Sequence, residues 1–346
     1  MTYIRPVGDA WEPTGIRVGI TSVGASLPDQ VVTTTELQHR VAAASALPLS
    51  AGFFEQMSGI ATRRMARNDE YSSTLAIAAA REALAAAELD PFDIDLLLFA
   101  SASRDVVEPA TAHIVQAELG SKAHALDVTN ACNSFINGID LARSLILAGR
   151  AGRALVVTGE TPTRAMRPRL ESLAQARAAF AGYTFGDAGA AVILEPVTRG
   201  GILDVDTETL SEHWGVGGIF GGGSRHPRTV EHTYFHGDGH ALRGVFEKLG
   251  TGILDRVRAR TGYDWDDYAR VLVHQVTLPY LERFIEVTGV PRDKLVVTVG
   301  ELGNVASATL GVQLARVFST LDRGDRVLFV GLGGGVSVMT MVWEKT

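Results

Sequence analysis

The chain is predicted to fold as an α/β protein made of two related halves, and three observations carry this. Short apolar, β-branched runs alternate with amphipathic helical patterns along the 346 residues. The alternation occurs twice in the same order. Hydrophobic residues make up 46 % of the chain against 21 % charged, enough for a large buried core and too apolar for disorder.

In the first half, residues 72–88 (SSTLAIAAAREALAAAE) form an alanine-rich helix with Ser72 and Ser73 placed to cap it. A buried strand at 95–100 and a helix at 111–119 follow. Next come a strand at 123–128, an amphipathic helix at 134–148, and strands at 154–158 and 189–194. The second half repeats the order. A helix at 242–261 precedes a strand at 270–274. A helix at 280–288 precedes a loop at 299–304 and a small-residue helix at 305–320, and strands at 326–330 and 336–343 close the chain. Strands beginning at 95 and 154 are 59 apart, and their counterparts at 270 and 326 are 56 apart. Leu141-Ala142-Arg143 lies nine residues after Cys132, and Leu314-Ala315-Arg316 ten after Asn304. An internal duplication longer than solenoid repeats implies two lobes, 1–195 and 196–346. Central helices rich in Ala and Gly imply close packing between layers. The stretch 215–223 holds six glycines and is expected to be a mobile loop or lid.

A net charge of −7 leaves no basic face for nucleic acid. The apolar stretch 327–343 is interrupted by glycines and reads as two strands around a turn, not a membrane span. The first thirteen residues lack a basic-then-apolar export pattern, and one cysteine allows no internal disulfide. A cytoplasmic location is the expectation.

That cysteine, Cys132, falls between the strand at 123–128 and the helix at 134–148. A lone cysteine is commonly a small buried hydrophobe. At a helix N-terminus, however, free amides and the positive dipole end favour a thiolate. His274 ends a buried strand, where α/β folds place functional loops, although such a histidine is often structural. Asn304 stands where the duplication puts the counterpart of Cys132. A thiolate with two side-chain N–H donors suits thioester chemistry: Cys accepts an acyl group, and His and Asn hold an enolate oxygen. The glycine run 331–335 lies between two strands, unlike a dinucleotide fingerprint. It offers the Gly334 amide, with that of Cys132, as an oxyanion hole.

Taken together, Ser58-Gly59-Ile60, Arg63-Arg64, Thr129-Asn130-Ala131-Cys132, Phe185-Gly186-Asp187, His274-Gln275, Gly303-Asn304 and Gly333-Gly334-Gly335 resemble the thiolase superfamily, in particular its ketoacyl synthase III branch. The resemblance implies a five-layer αβαβα fold, a homodimer, and a catalytic Cys132, His274 and Asn304. It implies acyl-CoA or acyl-carrier protein as substrates, with no metal or other cofactor. Within the branch, the segment from Ser103 to Thr111 is most similar to OleA-type enzymes, which condense two fatty acyl-CoAs head to head. That similarity implies that Glu108, 24 residues before Cys132 (132 − 108), reaches the neighbouring subunit's site as the base for an α-proton. A solvated loop charge is the alternative for Glu108. The aromatic and arginine clamp that holds the adenine in ketoacyl synthase III is replaced by Phe53 and Met57, leaving Arg63 and Arg64 as candidate phosphate contacts.

The expected reaction is therefore a Claisen condensation of two acyl thioesters through an acyl-Cys132. A decarboxylating synthase using malonyl-carrier protein is one alternative, and it needs no carboxylate base. Acyl transfer to an oxygen or nitrogen acceptor and a silent subunit lending Glu108 are the others.

Overall fold

The computed structural model of the protein describes residues 15–45 and 49–346, so the export-pattern expectation lies outside the described residues. The chain opens with β1 (Arg17–Ser26), β2 (Val31–Thr33), α1 (Thr34–Ala44), α2 (Phe53–Ser58) and β3 (Thr62–Arg64). It continues through α3 (Ser72–Ala86), β4 (Leu96–Ala100), α4 (Thr111–Leu119), β5 (His124–Val128), α5 (Ser134–Leu147), β6 (Ala154–Glu160), α6 (Leu173–Ala179) and β7 (Ala188–Val197). The second part comprises β8 (Gly201–Thr209), β9 (Gly217–Gly218), β10 (His236–Gly237), α7 (Gly239–Leu249), α8 (Gly252–Thr261) and β11 (Arg270–Val273). Then come α9 (Leu278–Thr288), α10 (Val299–Leu302), α11 (Ala308–Val317), β12 (Arg326–Gly333) and β13 (Ser337–Glu344).

Two sheets organise these elements. One runs β1-β7-β6-β4-β5, the other β11-β12-β13-β8. The chain passes from the first to the second between Val197 and Gly201. β4 pairs in parallel with β5 and β6, and β11 with β12, as crossover helices require. The helices α5 and α11 lie between the sheets in one core, where Phe135, Ile139, Leu310 and Leu314 meet Ala190, Val156, Phe329 and Met341. α3 and α4 cover the outer face of the first sheet, while α8 and α9 cover that of the second. This is the five-layer αβαβα arrangement.

Small residues make the layers close. Gly24, Gly159 and Gly189 lie under α3, and a Cβ on each would come within 1.8–2.3 Å of a carbonyl of that helix. Gly311 in α11 meets Ala190 of β7 in the same way, its Cβ falling 2.4 Å away. The alanine-rich patterns thus record backbone-to-backbone contact, as the sequence led us to expect.

Four local expectations need correction. The helix expected at 242–261 is two helices, broken where Gly250 turns left-handed (φ 60°). Ser72 and Ser73 are in the first turn of α3, which Tyr71 caps. The Tyr71 N–H bonds Thr74 Oγ1, while Ser73 Oγ bonds Asp105. The loop at 299–304 contains the helical turn α10, and the helix expected from 305 begins at Ala308. The stretch 215–223 is part of a folded excursion: β9 pairs with β10, the Gly221 N–H bonds the His232 carbonyl, and Trp214 packs edge-on against Phe220.

Candidate active site

Cys132 follows β5 at a sharp turn. Ala131 takes a left-handed conformation (φ 47°), and the Ser134 N–H bonds the Ala131 carbonyl to start α5. The turn is pinned by Ser134 Oγ, which accepts from Asn130 N and donates to Ala131 O, at 2.8 and 2.7 Å. Two backbone N–H groups hydrogen-bond the sulfur: its own and that of Gly334. These are the two amides expected to form the oxyanion hole.

The surroundings of the resting sulfur favour the thiol, against the pull of the helix end toward a thiolate. Burial pushes its pKa up to about 12, and the nearby Glu160 carboxylate pushes the same way. The two amide bonds lower it but do not compensate. Desolvation of a sulfur anion outweighs the dipole of one helix. A proton acceptor is therefore needed when the sulfur attacks.

His274 follows β11, its N–H held by the Val330 carbonyl at 2.9 Å. Burial drives its pKa down to about 4, with a hydrogen bond to the Ala306 carbonyl offsetting part of the shift. The ring is therefore neutral at ordinary pH. Its Nδ1 is 3.2 Å from Thr309 Oγ1, whose own proton goes to the Ala306 carbonyl at 2.8 Å. With both neighbours acting as acceptors, Nδ1 carries the proton and Nε2 is bare. At rest His274 is an acceptor, not the second N–H donor that the residue pattern led us to expect.

Asn304 is buried after Gly303, and its backbone is tied to the Phe185–Gly186 segment by Asn304 N to Thr184 O (2.8 Å) and Gly186 N to Asn304 O (3.1 Å). Its Oδ1 accepts from the Ala306 N–H at 3.0 Å. That bond orients the carboxamide so that its NH2 group is the one offered. His274 and Asn304 are thus organised by the same left-handed residue, Ala306 (φ 47°).

Glu160 is a site residue that the sequence pattern did not reveal. It ends β6, fully buried, and accepts hydrogen bonds from the N–H groups of Ala102 (2.7 Å) and Ser103 (3.0 Å) and from Ser307 Oγ. It therefore links the neighbourhood of the sulfur to the head of α11, three residues after Asn304 (307 − 304), and to the loop leading to Glu108. A buried carboxylate at a strand end was visible in ALVVTGE, but nothing in its spacing tied it to Cys132.

The remaining candidates separate. Glu108 is on an exposed loop beside Val106 and Val107, which are 42 % and 64 % exposed. Arg63 is fully buried, donating to the carbonyls of Tyr183 (2.5 Å) and Phe185 (3.0 Å) and to Thr34 Oγ1 (2.7 Å). Burial lowers its pKa to about 10, despite the nearby Asp187 carboxylate. Its donors brace the Phe185–Gly186 segment under Asn304, so it cannot meet a phosphate arriving from solvent. Arg64, partly exposed, bonds the carbonyls of Pro28 and Asp29.

A cleft of about 80 Å³ opens between α7, α8 and α9. Phe246, Leu254 and Phe284 line its side, and Val330, Leu332 and Val338 its floor. That floor belongs to the strands flanking the Gly334 turn. Arg243 and Arg283, both paired with Glu247, stand at its rim.

Comparison with known proteins agrees with this geometry. Residues 126–211 match the family model of 3-oxoacyl-[acyl-carrier-protein] synthase III, and residues 259–345 match the model of its C-terminal part. The chain is 31 % identical to a β-ketoacyl-[acyl-carrier-protein] synthase III from Methylococcus capsulatus, over 91 % of this chain and 95 % of that one. It is 30 % identical to the Listeria monocytogenes protein of the same name, covering 95 % and 100 %. An OleA variant from Xanthomonas campestris, solved with lauric acid and lauroyl-CoA, superposes with a TM-score of 0.84 at 25 % identity, covering 95 % of this chain and 99 % of that one. A 3-oxoacyl-[acyl-carrier-protein] synthase III from Aquifex aeolicus gives 0.81 at 25 % identity, covering 94 % and 99 %. The chain belongs to the ketoacyl synthase III family of the thiolase superfamily and is an acyl-condensing enzyme.

Proposed function

We propose that this enzyme condenses two fatty acyl-CoAs head to head, without decarboxylation, as a homodimer. The observation that carries the proposal is the Glu108 loop. A carboxylate flanked by two exposed valines fits the edge of a subunit contact, not a solvated loop. Decarboxylation generates a carbanion without a base, whereas two plain acyl thioesters require one.

In the first step the Cys132 sulfur attacks the thioester carbonyl of acyl-CoA. The thiol proton passes to the bare Nε2 of His274 and on to the departing CoA sulfur. The carbonyl oxygen, negative in the tetrahedral intermediate, receives the N–H groups of Cys132 and Gly334. One thioester replaces another, so the exchange is close to isoenergetic. In the second step Glu108 of the partner subunit removes an α-proton from another acyl-CoA. Asn304 Nδ2 donates to the enolate oxygen, beside the neutral His274 ring. The enolate carbon attacks the acyl-Cys132 carbonyl, the carbon–sulfur bond breaks, and the proton held by Glu108 returns to the Cys132 sulfur. A β-ketoacyl-CoA leaves. Arg64 is the remaining candidate for a CoA phosphate.

The rival is decarboxylative condensation with malonyl-carrier protein, favoured by the names of the 30–31 % identical relatives. The test is product analysis with purified enzyme and long-chain acyl-CoA alone. A β-keto product is expected. Product that forms only after addition of malonyl-carrier protein overturns the head-to-head reading and establishes the rival.

A further inference from the structure

We propose that Asn133 is a positioning residue for acylation: its carboxamide bolts the glycine turn that carries the Gly334 N–H onto the head of the helix that carries Cys132. The inference rests on the loading step above and concerns what keeps its oxyanion hole in register.

Asn133 is fully buried between Cys132 and the first residue of α5. Its Nδ2 donates to the Ser337 carbonyl at 3.0 Å and to Ser337 Oγ at 2.8 Å, spanning 204 positions of sequence. Ser337 is the first residue of β13, just past the turn. The Asn133 Oδ1, by contrast, is buried without a hydrogen-bond partner. Such an orphan costs about 1–3 kcal/mol, which a smaller apolar side chain would avoid. Something must favour the amide here, and its two bonds to Ser337 are the available gain.

The opposite wall has been cleared for it. A Cβ on Gly331 would lie 2.3 Å from Asn133 Oδ1, and one on Gly333 would lie 3.0 Å from Nδ2. Neither glycine has a left-handed backbone, so conformation does not demand glycine at either position. The space does. The carboxamide fills the volume of two missing side chains and joins the strand beyond them.

The turn needs such a hold. Gly335 (φ 76°) and Val336 (φ 57°) are both left-handed, and for a β-branched residue this is an outlier with a cost of about 1–3 kcal/mol. One side of Val336 is fixed by Leu210 N to Val336 O at 2.8 Å. Asn133 fixes the next residue, Ser337. Two residues before these anchors the Gly334 N–H meets the sulfur, and small displacements of such a donor are expensive in rate.

The test combines Asn133→Ala, Gly331→Ala and the double variant in two reactions of Cys132: acyl-enzyme formation from lauroyl-CoA, followed by intact mass, and alkylation by iodoacetamide, which develops no oxyanion. Losing an oxyanion donor outright costs about 10²–10³-fold, so a loosened one in Asn133→Ala should cost about 10- to 100-fold in acylation. Alkylation should fall much less, by a few fold at most, through the weaker amide bond to the thiolate. Gly331→Ala should be harmful alone, because its methyl group strikes Oδ1, and much less harmful when Asn133 is already alanine. Acylation of Asn133→Ala at the wild-type rate overturns the inference. So does an equal fall in both reactions, or a Gly331→Ala effect that is the same with and without Asn133. Failure of the wild type to load from acyl-CoA is a different result, and it removes the loading step along with this inference.

Discussion

At the head of α5, left-handed Ala131 precedes Cys132 by one residue; at the head of α11, left-handed Ala306 follows Asn304 by two. Both helices begin two or three residues later, lie between the same two sheets, and carry a Leu-Ala-Arg. The backbone device is shared, but the functional side chain is offset by three positions. In the first lobe the strained residue aims a sulfur at two amides. In the second, its own N–H and carbonyl hold Asn304 and the Thr309–His274 pair. The two sharp turns are alike, and a small shift in register makes one present a sulfur and the other a mount for a carboxamide and an imidazole.

The largest effect is expected from removing the sulfur, the member of this pair proposed above as the nucleophile. Cys132→Ala should abolish acyl-enzyme formation and condensation while the protein stays folded, since alanine fits where cysteine did. Intact mass after acyl-CoA exposure checks this, and any acyl adduct on the variant would mean that another group is the nucleophile. Asn304→Ala attacks the other head. Loading should persist within a few fold, while condensation falls about 10²-fold or more, the scale for losing a donor to a developing oxyanion. If loading and condensation fall together, the two heads do not divide the reaction as described.

Glu160 joins the heads, and its effect is smaller and reversed in sign for the thiol. The carboxylate disfavours the neighbouring thiolate, so Glu160→Gln should lower the Cys132 pKa from about 12 and raise the thiolate fraction at pH 8. Iodoacetamide alkylation at that pH should accelerate about 3- to 10-fold, since one pKa unit is a factor of ten in thiolate at pH values well below the pKa. In the wild type the rate should keep climbing through pH 9 without a plateau. Condensation should nevertheless decline in Glu160→Gln, because one of the two oxygens that accept from Ala102, Ser103 and Ser307 becomes an NH2 donor facing a donor. A variant with slower alkylation would show that the carboxylate does not act on the sulfur through its charge.

Much of this comparison was legible in the sequence. The 59- and 56-residue spacings revealed the duplication because strands and helices obey local periodicities. Cys132, His274 and Asn304 stood out as chemical types at element ends. What escaped depends on three-dimensional neighbours. Desolvation of the sulfur is invisible in Asn130-Ala131-Cys132, and so the protonation state was inverted. The bare Nε2 of His274 depends on Thr309, 35 residues away. Arg63 looked like a surface partner of Arg64, yet strand alternation in a three-residue pairing sends one inward and leaves the other partly exposed. Gly331 and Gly333 read as parts of a turn between two strands, although they are strand residues whose missing side chains make room for Asn133.

The smallest prediction concerns the strain that the two heads share. An alanine held left-handed costs about 1–2 kcal/mol, which glycine would relieve, while the added freedom of glycine in the unfolded chain takes back about 0.5–1 kcal/mol. Ala131→Gly and Ala306→Gly should therefore each be neutral or stabilising by up to about 1 kcal/mol in urea denaturation. Ala80→Gly, in the ordinary helical backbone of α3, should lose at least that much, because it is fully buried and gains no relief. Matching responses at 131 and 306 would tie the two turns to one backbone conformation. A marked loss at only one of them would mean that side-chain packing, not the shared left-handed turn, determines how that head is built.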